Sequence, residues 1–338
     1  MIIKIENNTN FSTIKSYLES LHLEVHLIHK KNNRYIVISG DERPINMNYL
    51  CSIIGNSKII TDFSPYYFSS REFQKEDTII EVKNFKVGGG NFSYIAGPCT
   101  IENENDLIET GRLISKYGAT LFRAGAFKPR TSPYNFQGWG REGIKLLHSV
   151  GQKLNMPVIT EVLNPEDVLW MEPYIDVFQV GTRNMTNTAL LKELGKTNKP
   201  VLLKRNFAVG IEDWIKAAEF VIVYGNSNVM LCERGIQGVD NYNRFVLDLA
   251  AVSAAKQLTH LPVIVDPSHA TGRPELIPSM VSAAIVAGAD GIIVETHIDP
   301  SKMLVPGDGP QALLPHQFNK IVEDNKPLLK LLQKKLCL

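Results

Sequence analysis

Cysteine is scarce: four in 338 residues, at Cys51, Cys99, Cys232 and Cys337. Their unclustered spacing argues against a disulfide framework and a CxxC zinc site. An excess of charge of one sign is also missing. Lys and Arg total 36 against 35 Asp and Glu, a net +1, so there is no general attraction for nucleic acid or an anionic membrane. No apolar run approaches the roughly 20 residues of a membrane span, and the start, MIIKIENN, lacks the layout of a secretory signal. These absences predict a soluble, cytoplasmic protein. No GxGxxG follows the first strand of the larger segment, which weakens the case for a dinucleotide-binding sheet.

What is present is a repeating alternation. From about residue 93, short apolar runs alternate with amphipathic segments: SYIAG, ATLFRA, MPVITE, DVFQVG, PVLLKR, NVMLCE, PVIVD and GIIVE. Eight nearly continuous apolar runs are strands covered on both sides, and eight βα units predict a (β/α)8 barrel over 93–338. An open doubly wound sheet is the alternative that periodicity alone leaves standing. Residues 1–67 spell β-α-β-β-α-β, a ferredoxin-like module with nothing catalytic in it. Between them, 68–92 is polar, then alternating, then Gly-rich, and predicts a linker followed by a hairpin that closes the barrel bottom.

In such a barrel the strand C-termini share one mouth. Cys99, His269, Glu295 and Asp308 each lie at or just past a strand end or in the loop beyond it. One thiolate, one imidazole and two carboxylates suit a borderline divalent ion (Mn, Fe, Co or Zn) better than Mg or Ca. Taken alone, Cys99 also fits a buried core cysteine and His269 a hydrogen-bonded strand-end histidine. Arg123, Lys128, Arg130, Arg183, Lys204 and Arg234 converge on the same mouth, with Glu161, Arg205, Glu233, Asp266 and His297 at other strand ends. So many cations imply polyanionic ligands bearing phosphate and carboxylate groups, and the Thr131 and Ser132 hydroxyls beside Arg130 complete a phosphate cradle.

The segments IAGPCT, RAGAFKPRTSPYNFQGWG, QVGTRN, KPVLLKR, LCERGI, LPVIVDPSH, GADGIIVETH and GDGPQAL resemble the 3-deoxy-D-arabino-heptulosonate 7-phosphate (DAHP) synthase family, in its short bacterial form with an N-terminal ferredoxin-like domain. Sibling octulosonate 8-phosphate synthases carry a KANRS-like segment where this chain has KPRTS. The resemblance implies one divalent metal on Cys99, His269, Glu295 and Asp308. It implies phosphoenolpyruvate on Arg123, Lys128, Arg183, Lys204, Arg234 and the backbone N–H of Thr182. Erythrose 4-phosphate would lie along Lys128, Pro129, Arg130, Thr131 and Ser132. The implied reaction is an aldol-like condensation opening the shikimate pathway, with Lys128 as proton donor and Glu161 orienting water. It also implies a homotetramer and an aromatic effector, tyrosine or phenylalanine, on the N-terminal module; the alternative is a module that only buries oligomer surface. Departures at Asn206, Gln237, Asn243 and Phe245 leave open a paralogue that takes another aldose phosphate, or a non-catalytic regulatory one.

Overall fold

The computed structural model describes residues 1–30, 32–128, 134–303 and 309–336. Period-two patterning builds the first sheet. Strands β1 (Ile2–Ile5), β2 (Glu24–Lys30), β3 (Asn33–Ser39) and β4 (Lys58–Ile60) pair antiparallel in the order β2-β3-β1-β4, with helices α1 (Phe11–Ser20) and α2 (Met47–Ile54) between them. Asn10 and Asn46 start the helices, their side chains accepting from the N–H groups of Thr13 and Tyr49. Ile3, Ile5, Ile36 and Ile38 pack on Ile14, Leu18, Leu50 and Ile54 of the helices. The alternate residues Ile2, Ile28, Tyr35 and Val37 join Phe68 in the core that continues into the barrel. Both faces of this sheet are therefore used, one by its own helices and one by the rest of the chain.

The barrel strands are β7 (Asn91–Gly97), β8 (Leu121–Arg123), β9 (Val158–Val162), β10 (Val177–Val180), β11 (Val201–Lys204), β12 (Val229–Glu233), β13 (Val263–Val265) and β14 (Gly291–Glu295), preceded by the hairpin β5 (Ile80–Val82) and β6 (Phe85–Val87). All eight pair in parallel, and β14 closes on β7 with Gly291 beside Ser93 and Glu295 beside Gly97. Helices α3 (Glu104–Lys116), α4 (Gly140–Lys153), α5 (Asp167–Met171), α6 (Thr188–Gly195), α7 (Ile211–Val223), α8 (Leu249–Leu258), α9 (Pro267–Thr271), α10 (Ile277–Val286) and α11 (Pro315–Leu331) join the strands, and β15 (Lys335–Leu336) adds to the start of β7. In α7, Trp214, Ile215, Ala218, Val221 and Ile222 are buried on one stripe, and Trp214 Nε1 donates to the Leu203 carbonyl at 3.1 Å. Among the described residues no helix is long and apolar enough to cross a membrane.

Inside the barrel, Ile95, Leu121, Ile159, Val177, Leu202, Met230, Ile264 and Ile293, one from each strand, form an apolar layer joined by Cys232 and by Ile80, Val82 and Val87 of the hairpin. Because side chains on a strand repeat every second residue, the position two further on faces the same interior. Those positions read Gly97, Arg123, Glu161, Gln179, Lys204, Cys232, Asp266 and Glu295. An apolar floor thus changes within one pleat to a charged layer, and that change locates the site.

The linker is strapped to the barrel wall. Glu219 of α7 accepts from the N–H groups of Phe68 and Ser69 and from the Ser69 hydroxyl, all at 2.8 Å. His260 Nε2 lies 2.8 Å from the Phe68 carbonyl. Burial pushes the Glu219 carboxyl up to about 7 despite those three donors.

Candidate active site at the barrel mouth

The end of β7, the short helix α9 after β13 and the end of β14 bring Cys99, His269 and Glu295 together, with their donor atoms all within 4.8 Å of one another. Cys99 Sγ lies 4.0 Å from His269 Nε2, which lies 2.8 Å from Glu295 Oε1. Donors around one ion stand ~3–4 Å apart when each bond is ~2.0–2.3 Å, so this spacing fits a single divalent cation. The thiolate, imidazole and carboxylate set is that of a borderline transition metal rather than Mg or Ca.

The trio is oriented from behind. Asp266, N-cap of α9, accepts from the His269 N–H at 3.0 Å and stands 2.7 Å from Nδ1, which aims Nε2 at the cleft. The same Asp266 accepts from Lys204 Nζ at 2.6 Å. Glu295 is gripped on both oxygens, by Arg123 at 3.2 Å on Oε1 and by Gln311 at 2.8 Å on Oε2. Gln311 in turn accepts from Arg244 at 3.1 Å. Burial opposes ionisation of Asp266, but His269, Lys204 and Arg123 outweigh it and hold the pKa well below the carboxylate range. For Glu295, burial is again the opposing effect, and His269 and Arg123 overcome it. Both groups are anions at neutral pH.

Lys128 reaches over the trio, its Nζ 2.8 Å from Cys99 Sγ. Gly125 makes this possible: a Cβ there would lie 2.5 Å from the Cys99 carbonyl and 3.0 Å from Lys128 Nζ. Cys99, Lys128, Glu161, Thr182, Arg183, Lys204, Arg234 and His269 line one cleft of about 560 Å³. Arg123 and Glu295 lie buried beneath it. Nη1 of Arg123 and Nη1 of Arg234 are buried with no partner among the described residues, a costly state unless an anion completes it. Glu161 accepts from Gln179 at 3.4 Å and sits against Gly181, where a Cβ would come within 1.9 Å of Oε1. Thr182 and Arg183 begin the 3-10 turn after β10.

Of the other strand-end groups, Arg205 and Glu233 form a buried pair at 2.9 Å joined by Asp248, and His297 Nδ1 accepts from the Asp299 N–H; these serve the scaffold. Asn206 has ordinary backbone geometry and ties two mouth loops, donating to the Thr182 carbonyl at 3.2 Å and accepting from Ala208 N–H at 2.9 Å. Pro129, Arg130, Thr131, Ser132 and Asp308 lie outside the described residues.

Three donors within reach of one ion, beside two arginines that each keep a buried N–H without a partner among the described residues, point to metal-assisted work on a phosphate- or carboxylate-bearing substrate. Residues 75–333 match the model of the DAHP synthetase I family. The chain belongs to that family. It is 41% identical over 310 residues to a phospho-2-dehydro-3-deoxyheptonate aldolase of Thermotoga maritima, covering 92% of this chain and 91% of the relative. The crystal structure of the Thermotoga maritima DAHP synthase matches at a TM-score of 0.78 and 38% identity, over 99% of this chain and 98% of that one. A 2-dehydro-3-deoxyphosphooctonate aldolase of Koribacter versatilis is 34% identical over 254 residues, covering 69% of this chain and 89% of the relative. Gln311, Arg244 and Phe207 enter the site from the geometry, as do the contacts of Asp266 and Phe245, which the sequence offered only as a strand-end charge and a departure from the family pattern. The Asp-Pro start of α9 was a readable helix signal; no sequence pattern marked Gln311 as a partner of Glu295.

Proposed function

We propose that this mouth condenses phosphoenolpyruvate with erythrose 4-phosphate and water, giving DAHP and phosphate, the first step of the shikimate pathway. One observation carries the assignment of roles: Cys99, His269 and Glu295 lie within 4.8 Å of one another in a cleft whose arginines keep buried N–H donors unpaired. Cys99, His269, Glu295 and Asp308 would hold one divalent ion, Mn, Fe, Co or Zn, which when bound would supply Lewis acidity toward the aldehyde carbonyl.

The chain's own residues do the rest. Arg123, Arg183, Lys204, Arg234 and the Thr182 N–H hold the carboxylate and phosphate of phosphoenolpyruvate so that its C3 faces the aldehyde carbon. Lys128 touches both substrates and donates a proton to the oxygen that becomes an alkoxide as the C–C bond forms. Glu161, backed by Gln179, orients the water that adds at C2 before phosphate leaves. The tetrose lies along Lys128, Pro129, Arg130, Thr131 and Ser132, with its phosphate on the last three. Screening the mouth from water strengthens each of these charge contacts.

The same reading assigns residues 1–67 to regulation or oligomerisation, 68–92 to the linker and hairpin, and 93–338 to catalysis. It makes the enzyme a cytoplasmic homotetramer, with tyrosine or phenylalanine as effector. The deciding assay supplies phosphoenolpyruvate with a set of aldose phosphates and follows phosphate release. Turnover is expected to be fastest with erythrose 4-phosphate. A clear preference for a pentose phosphate would overturn the substrate assignment.

A further inference from the structure

Arg234 differs from the other buried cations at the mouth. Arg123 is paired with Glu295, Lys204 with Asp266, and Arg205 with Glu233 and Asp248. Arg234 is as buried as these, at 5% exposure, yet among the described residues it pairs with no carboxylate. Its Nη2 makes one long bond, 3.4 Å, to the His269 carbonyl, and its Nη1 is buried without a partner. What lies against it is a ring: the guanidinium carbon stands 4.3 Å from the centroid of Phe245. Phe245 is stacked in turn on Phe207, centroids 5.7 Å apart and planes 29° from parallel. Both rings line the same cleft as Arg234.

The backbone fixes this bracket. Phe245 N–H donates to the Ala270 carbonyl at 2.7 Å, and Ile236 and Val246 exchange two bonds of 2.9 Å. Gly235, at φ +96, lets the two segments meet; a Cβ there would lie 2.7 Å from the Cβ of Phe245. A carboxylate partner would occupy the guanidinium N–H groups and neutralise the charge. An aromatic face stabilises the cation through its quadrupole and takes no donor. That matters at Arg234, which is buried and has no carboxylate partner among the described residues.

We propose that Phe245, braced by Phe207, is a positioning residue that holds the Arg234 guanidinium over the cleft with its N–H edge open for an anionic group of phosphoenolpyruvate. This rests on the assignment of Arg234 to phosphoenolpyruvate. Steady-state kinetics on the metal-loaded enzyme test it, with Phe245→Leu removing the π face and Phe245→Tyr keeping it. The leucine variant is expected to raise KM for phosphoenolpyruvate about tenfold, with kcat within about twofold. KM for erythrose 4-phosphate and the melting temperature should hardly move, and the tyrosine variant should behave as the parent. If the leucine variant melts early, Phe245→Met replaces it. An unchanged KM for phosphoenolpyruvate in the leucine variant, or a tyrosine variant as weak as leucine, overturns the proposal. Arg234→Lys separates the two failures. If that change also leaves KM for phosphoenolpyruvate unaltered, the assignment of Arg234 falls and the bracket with it; if it raises KM while Phe245→Leu does not, only the bracket falls.

Discussion

Replacing His269 with alanine is expected to lower kcat/KM by about three orders of magnitude, the equivalent of ~4 kcal/mol of lost transition-state stabilisation. His269 is the middle donor of the trio, 4.0 Å from Cys99 Sγ and 2.8 Å from Glu295 Oε1. Without it two donors remain among the described ligands, and bound metal measured by elemental analysis should drop well below one ion per chain. Asp266→Asn supplies the graded comparison. It leaves every ligand in place but loosens the ring of His269 and the ammonium of Lys204, both of which Asp266 holds. Its expected effect is a 10–100-fold loss in metal affinity, typical of a partner that orients a ligand, with activity returning as metal is added. If His269→Ala kept near-parental activity and full metal content, the trio would not be the metal site.

The second large effect is at Lys128. Changing it to methionine keeps length and removes the ammonium, and kcat is expected to fall by about 10²- to 10⁴-fold, the usual range for a positioned proton donor. Metal content should stay near one ion per chain, because Lys128 contacts Cys99 at 2.8 Å without being a donor to the ion. That separates Lys128 from His269: one loses rate with metal retained, the other loses both. Lys128→Arg should not rescue, since the space over Cys99 is set by the bare backbone of Gly125, and a guanidinium does not fit where an ammonium does. A kcat within about tenfold of the parent in Lys128→Met would remove the proton-donor role.

The barrel was legible because each strand is a short apolar run with an ionisable or metal-binding group at or just past its end, and the eight runs read from sequence coincide with β7 to β14. The site followed from a single rule, that strand ends share one mouth, which places Cys99, His269 and Glu295 together although nearly two hundred residues separate the outer pair. What could not be read was pairing across the mouth. Lys204 and Asp266 both looked like strand-end charges, and only the fold shows that the two neutralise each other at 2.6 Å. Gln311 grips Glu295 from the short 3-10 turn Gly309–Gln311, which has no periodicity to mark it. Phe245 registered as a departure from the family pattern; its stacking on Arg234 depends on the hairpin-like pairing of Ile236 with Val246, a contact sequence spacing does not encode. Asn206, another departure, turns out to bridge two mouth loops.

Anomalous diffraction from crystals grown with Mn²⁺ and phosphoenolpyruvate tests the central claim most directly. The account predicts one strong peak per chain, within bonding distance of Cys99 Sγ, His269 Nε2 and Glu295 Oε1, with the phosphoenolpyruvate anions on Arg123, Lys204 and Arg234. A peak elsewhere, or none in crystals of enzyme that is active with Mn²⁺, would contradict it.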